Sequence, residues 1–255
     1  MHVHVALGPA EFPGLALAGR SALVVDVLRA TTTVVAAFAA GCRRVVPAGD
    51  VEAARARAGE FPVAERLLAG EQGGEPIPGF DLGNSPLEYV PERVHGRTIV
   101  LTTTNGTAAM LVAGAAARGA VAALVNVEAA AHWCAAQTRD VVVLCAGEKG
   151  DFALEDAVCA GLVVERLLAA RPEAVASDAA TAAWRLGQHY ASRLDRLSVE
   201  ARWARRLAAR GRAADLQACL RLGGASLVPE LAGGVIERGR AVLAATADAG
   251  DGSAA

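Results

Sequence analysis

The sequence is poor in lysine and in rings. It has a single lysine, Lys149, and aromatic residues make up only 4% of its 255 residues. A core with so few rings has to be built from Ala, Val and Leu, which suits closely packed α/β layers. Lysine plus arginine number 25 against 27 for aspartate plus glutamate, a formal charge of −2. No basic field is therefore available to recruit nucleic acid. The five cysteines, Cys42, Cys134, Cys145, Cys159 and Cys219, are odd in number and contain no CxxC pair. Neither a zinc ribbon nor a disulfide framework is supported, and reduced thiols in a cytoplasmic protein are expected.

Targeting and membrane signals are also missing. The opening residues MHVHVALGPAEF lack a basic start followed by an apolar stretch, so no signal peptide is expected. Residues 98–117 are uncharged but have Thr102, Thr103, Thr104, Asn105, Gly106 and Thr107 at their centre, poor material for a membrane span. Several nucleotide and hydrolase motifs are absent: G-x-x-x-x-G-K-[ST], G-x-G-x-x-G opening a helix, and G-x-S-x-G. The haloacid-dehalogenase start D-x-D-x-[TV] fails because position 28 is Leu.

What is present is ample core material, 53% hydrophobic against 20% charged, which excludes intrinsic disorder. Three segments share one grammar: 21–41 (SALVVDVLRATTTVVAAFAAG), 97–114 (RTIVLTTTNGTAAMLVAG) and 140–161 (DVVVLCAGEKGDFALEDAVCAG). Each opens with a continuous Val/Leu/Ile run, passes through polar residues and continues as an Ala-rich helix. Continuous apolar strands imply burial on both faces, as in a largely parallel or mixed sheet covered by helices. Residues 43–47 and 120–127 are read as further strands. The expected fold is a layered α/β/α architecture with ligand sites beyond the strand ends. Residues 70–91 are rich in Gly and Pro yet carry Phe80, Leu82 and Leu87, so an ordered functional loop is expected there. Residues 178–194 and 198–207 read as amphipathic helices, the second capped by Ser198. One compact unit over 1–246, or two closely packed lobes, is expected, with 247–255 as a flexible tail.

Chemistry concentrates in the polar turns. Asp26 interrupts an apolar run, a costly placement unless it is paired or binds a cation. Arg29 offers a planar fork for phosphate or carboxylate, or else an internal ion pair with Asp26 beside a helix capped by Thr31. The run Thr102 to Thr107 suits an anion received by hydroxyls and amides, or simple capping and a turn at Asn105-Gly106. Glu155 and Asp156 fall at a helix start as dipole partners or as ligands for a hard cation. Glu71 and Asp81 are weaker acidic candidates in the Gly/Pro loop. Cys145 lacks the arginine that a cysteine-phosphatase loop needs six positions on, where Asp151 stands, so it reads as a small buried hydrophobe. The five histidines avoid all of these turns.

Four blocks in order, VVDVLRATTTVVAAFAAG (24–41), GEQGG…GFDLGNSPLEY (70–89), TTTNGTAAM (102–110) and LCAGEKGDFALEDAVCAG (144–161), resemble the 2-phosphosulfolactate phosphatase family. Val228-Pro229 is a further point of likeness, and Gln72 stands where the family more often has Arg. The resemblance implies a magnesium-dependent α/β phosphatase acting on (2R)-2-phospho-3-sulfolactate in the route to coenzyme M, or on a related 2-phospho-hydroxycarboxylate. On that basis Asp26, Arg29 and Asp156 are expected to be catalytic. Asp26, Glu71, Glu155 and Asp156 are candidates to hold magnesium. Asn84, Ser85, Thr103, Thr104, Asn105 and Gly106 are candidates to hold the anionic substrate. The expected partner is that small phosphate ester, without nucleic acid or membrane, and self-association into a homo-oligomer is left open.

Overall fold

The computed structural model describes residues 1–239. The tail expected at 247–255 lies outside the described residues. Eleven strands among those described join in one mixed sheet. They are β1 (His2–Ala6), β2 (Ser21–Val25), β3 (Arg44–Pro47), β4 (Arg66–Gln72), β5 (Glu75–Pro76), β6 (Thr98–Thr102), β7 (Arg118–Ala122), β8 (Val141–Cys145), β9 (Val175–Ala176), β10 (Pro229–Ala232) and β11 (Val235–Arg238). Their spatial order is β5-β4-β6-β3-β11-β10-β7-β2-β8-β1-β9. The layered α/β architecture expected from continuous apolar strands is present.

The sheet consists of two parallel groups. One is β4-β6-β3, and the other is β7-β2-β8-β1-β9. The hairpin β10–β11 lies between them, antiparallel to β7 on one side and to β3 on the other. Three successive antiparallel pairings make the two groups run in opposite senses. One buried cluster nevertheless draws on both: Ala22, Val24 and Leu144 from the longer group, Val45, Ile99 and Leu101 from the shorter. Ala30, Val34 and Phe38 of the helix Ala30–Ala39 and Met110 of the helix Gly106–Ala113 fill the same cluster. These two helices follow β2 and β6, so their packing brings the ends of β2 and β6 together.

The strand segments β2, β6 and β8 are buried at every position, which is why they read as unbroken apolar runs. Two expectations are corrected. The strand placed at 120–127 is β7, ending at Ala122. Asn126 stops it by accepting from the Ala123 amide (2.8 Å) and donating to the carbonyls of Val121 and Leu227. The helix placed at 198–207 is broken into Leu197–Glu200 and Arg202–Ala209, with Ala201 extended between them. Ser198 caps neither piece, since its hydroxyl donates back to the Asp195 carbonyl (2.6 Å). The helix expected from 178 forms as Asp178–Tyr190, with Ser177 accepting from the Ala180 amide at its start. Among the described residues, no helix is long and apolar enough to cross a membrane.

Candidate active site

Asp26 follows β2 directly and is only 6% exposed. The three threonines after it are not a ligand comb, because the chain uses their hydroxyls itself. Thr31 Oγ1 accepts from the Asp26 amide and donates to the Asp26 carbonyl, while Thr32 Oγ1 donates to the Val27 carbonyl. Thr33 Oγ1 reaches the carbonyl of Asn84, drawing the Gly/Pro segment onto the helix start. This lattice fixes the turn that presents Asp26, whose Oδ1 accepts from the Ala30 amide at 3.2 Å. Burial is the main force on the Asp26 carboxyl and raises its pKa to about 7, with Glu71 adding to the rise and the Ala30 amide and Arg29 opposing it.

Glu71 ends the buried part of β4. Its Oε1 accepts from the Thr104 amide (2.7 Å), and its Oε2 accepts from the Thr104 hydroxyl and the Gly74 amide. One carboxylate thus ties the Gly73-Gly74 turn between β4 and β5 to the turn after β6. That second turn is itself braced by Thr103 and Thr107, which exchange side-chain and backbone hydrogen bonds. Gly106 follows. A Cβ there would lie 2.5 Å from Asp26 Oδ2 and 2.4 Å from the Ala30 Cβ, so only glycine lets the two turns touch.

These turns form a small cleft lined by Asp26, Leu28, Arg29, Glu71, Gly73, Asn84, Thr104, Asn105, Glu148, Lys149 and Trp203. Asn84 is 5% exposed, and its Oδ1 has no hydrogen-bond partner among the described residues. A buried amide oxygen left without a partner is costly and marks a place where a ligand or water donor is wanted.

The structure brings six of the expected site residues to this cleft: Asp26, Arg29, Glu71, Asn84, Thr104 and Asn105. Ser85, Thr103, Gly106, Glu155 and Asp156 do not line it. Ser85 donates to Asp215 Oδ1 (2.6 Å), and Thr103 serves the turn. Asp156 accepts from the Val27 amide (2.8 Å) and the Gly147 amide (3.0 Å), so each oxygen pins one strand-end turn. Its carboxyl is pushed well above the ordinary range, mainly by burial and then by Asp26 and Glu155. Glu155 rises to about 7 by burial, with Asp26 and Glu148 adding repulsion. Asp81 stands apart, accepting from the Leu68 amide beside β4. Cys145 is fully buried, and its thiol is pushed up by burial and the neighbouring carboxylates, so it is an inert hydrophobe.

Arg29 does not pair with Asp26. Its Nη1 donates to Asp215 Oδ2 at 2.7 Å and its Nη2 to the Gly74 carbonyl at 3.1 Å. Asp215, from the helix Ala213–Cys219, is a partner the sequence did not announce, as are Glu148 and Trp203. Glu148 is held by Arg202 (2.7 Å) and Arg206, and the Trp203 indole donates to the Leu28 carbonyl (3.0 Å). Arg202, Trp203 and Arg206 sit on one short helix and fasten it over the cleft. The only sign of them in the sequence was an arginine-rich amphipathic pattern.

Among the described residues, no three His, Cys, Asp or Glu side chains converge as a metal cage. Asp26 and Glu71 are hard oxygen donors on the cleft wall. That set fits an ion such as magnesium, which commonly takes one or two protein carboxylates and fills its octahedron with water and substrate phosphate.

Fold and site together define a layered α/β protein with a small, acid- and amide-lined cleft at its strand ends. The family model described as 2-phosphosulpholactate phosphatase matches residues 8–234. A probable 2-phosphosulfolactate phosphatase of Symbiobacterium thermophilum is 40% identical over 231 residues, covering 91% of this chain and 97% of that one. One from Caldanaerobacter subterraneus subsp. tengcongensis is 36% identical over 217 residues, with 85% and 90% covered. Another, from Gloeobacter violaceus, is 40% identical over 222 residues, with 86% and 92% covered. The chain belongs to the 2-phosphosulfolactate phosphatase family.

Proposed function

We propose that this protein is a magnesium-dependent phosphatase that hydrolyses the phosphate ester of a 2-hydroxycarboxylic acid, (2R)-2-phospho-3-sulfolactate, to 3-sulfolactate and inorganic phosphate. The observation that carries the reading is that every residue lining the cleft falls within the stretch matched by the family model. Relatives matched over nearly their whole length bear the name of that phosphatase.

The reaction breaks the bond between phosphorus and the ester oxygen. Water supplies the new P–O bond, and the departing alkoxide takes up a proton. The chain's own task is to hold a multiply charged anion against Asp26 and Glu71, which repel it. Magnesium, held by these two carboxylates, would neutralise phosphoryl oxygens and so remove that repulsion. Asn105 and Asn84 line the same cleft with neutral side-chain amides whose N–H groups can orient an oxyanion without adding charge, while Thr104 spends its amide and hydroxyl on Glu71. Arg29 is fixed at both ends of its guanidinium fork, so whatever it presents to the substrate is preorganised. Asp156 and Glu155 act behind Asp26, the first by holding the Val27 and Gly147 amides in place.

Phosphate release from a panel of esters, with and without magnesium, tests this reading. (2R)-2-Phospho-3-sulfolactate should be turned over fastest and only with the metal. Equal turnover of sugar phosphates or nucleotides would move the assignment to a different phosphatase. Binding without any hydrolysis would make the protein an anion carrier of the same fold.

A further inference from the structure

The cleft is lined by two cations and three carboxylates, and two of these five charges already have protein partners. Arg29 is neutralised by Asp215, with the two side chains 3% and 6% exposed. Glu148 is neutralised by Arg202 and Arg206. That leaves Asp26 and Glu71, and on the cation side Lys149. Among the described residues, no carboxylate comes within ion-pair distance of the Lys149 ammonium; its neighbour Asp151 is engaged by Arg202 instead.

Lys149 is also held in an unusual way. Glu148 and Asp151 exchange reciprocal backbone hydrogen bonds of 3.0 Å, which closes a two-residue turn with Lys149 and Gly150 at its tip. Both tip residues have positive φ, 53° and 89°. Such turns favour Asn, Asp or Gly at the first position, and a long side chain there is mildly strained. Among the described residues, Lys149 is the only residue other than glycine with positive φ. Its amide donates to Asn105 Oδ1 (3.0 Å), which locks the turn to the polar turn after β6 on the other wall of the cleft. The chain's only lysine is thus fixed at the cleft edge on a turn that would form more easily with another residue, and its charge has no protein partner among the described residues.

We propose that Lys149 is the specificity-determining residue of the cleft, and that its ammonium receives the second anionic group of the substrate, a carboxylate or sulfonate carried near the phosphate ester. Arginines at the rim are committed to Glu148 and the backbone, and Arg29 to Asp215, so Lys149 distinguishes a polyanionic ester from a simple one. The inference rests on the phosphatase reading for its kinetic test but not for its binding test.

Lys149→Asn keeps a residue that tolerates positive φ and removes the charge, so the fold is preserved. Three esters separate the sources of the second charge: phosphosulfolactate with carboxylate and sulfonate, phospholactate with carboxylate alone, and isopropyl phosphate with neither. In Lys149→Asn, KM should rise at least about tenfold for the esters that contact the ammonium, and by less than about threefold for isopropyl phosphate. Lys149→Arg should recover part of the difference. A rise confined to phosphosulfolactate assigns the contact to the sulfonate, and one shared with phospholactate assigns it to the carboxylate. An equal change for all three esters, or none, overturns the proposal. Calorimetric binding of 3-sulfolactate to both proteins needs no turnover. If neither protein hydrolyses any ester but binding weakens in Lys149→Asn, the phosphatase reading fails and the role of Lys149 stands. Equal binding by both proteins removes that role.

Discussion

Arg29 and Asp215 are 186 residues apart in sequence, yet form a buried ion pair with 2.7 Å between Nη1 and Oδ2. Asp215 also accepts from Ser85, so one carboxylate joins the turn after β2, the Gly/Pro segment and the helix Ala213–Cys219. Removing one partner of such a pair leaves an uncompensated buried charge, a loss of about 3–5 kcal/mol. Asp215→Ala should therefore lower Tm by on the order of 10 °C and reduce kcat/KM as Arg29 loses its orientation. Calorimetry with steady-state kinetics measures both. A Tm within about 2 °C of the parent would mean that the pair contributes little.

The acid cluster sets a pH dependence of stability. Asp26 and Glu155 each have a carboxyl raised to about 7, chiefly by burial. The folded protein therefore keeps protons that the unfolded chain releases near pH 4. This contribution is fully present below about pH 4 and is lost as pH rises towards about 7. Metal-free protein should unfold at a higher temperature at pH 5 than at pH 8, and Asp26→Asn should flatten the difference. A Tm that climbs steadily from pH 5 to pH 8 would contradict this account.

Magnesium should act in the opposite sense. At pH 8 an ion bound by the ionised carboxylates stabilises the folded state by mass action. Tm should rise with magnesium in the parent and not in Asp26→Asn, and EDTA should abolish hydrolysis until excess magnesium is added. Full activity in a rigorously metal-free preparation would sink the metal requirement.

Gly106 offers a test of geometry with no change of charge. Gly106→Ala puts a methyl 2.5 Å from Asp26 Oδ2, so the carboxylate must move. A misplacement of this size at a reacting group costs on the order of 10–100-fold in rate. We expect kcat/KM to fall at least about tenfold in a variant that still folds. Unaltered kinetics would mean that the Asp26 position is not critical.

Cys145→Ser tests the alternative nucleophile. The thiol is fully buried and strongly disfavoured as thiolate, so the variant should retain activity within a few-fold, with a modestly lower Tm. Complete loss in a folded variant, with a phosphocysteine trapped from the parent, would overturn the carboxylate-centred site.

Legibility in the sequence followed the range of the interactions. β2, β6 and β8 could be read because burial on both faces leaves an unbroken apolar run in the sequence. β1, β4 and the hairpin β10–β11 could not, since β4 carries Glu71 into the site and β10–β11 is short and half exposed. Asp26 and the Thr104-Asn105 turn stand out because polar residues directly after apolar strands are locally conspicuous, whereas Glu71 is only a weaker candidate within the Gly/Pro loop. Asp215, Glu148 and Trp203 lie on helices and turns whose patterns look like ordinary surface.

The sequence by itself determined the class of fold, the strand ends at which polar groups gather and the identity of the acids, because hydrophobic burial and turn chemistry act over a few residues. Only the tertiary structure decided how these groups divide the work. Asp156 reads in sequence as a helix-dipole partner or a cation ligand, and in the fold its two oxygens accept from the Val27 and Gly147 amides. Arg29 was offered Asp26 as a neighbour and found Asp215. Lys149 appeared as no more than the chain's sole lysine until the turn that carries it was set against Asn105. A buried charge is settled by whichever partner the fold brings within about 3 Å, and that partner can come from anywhere in the chain.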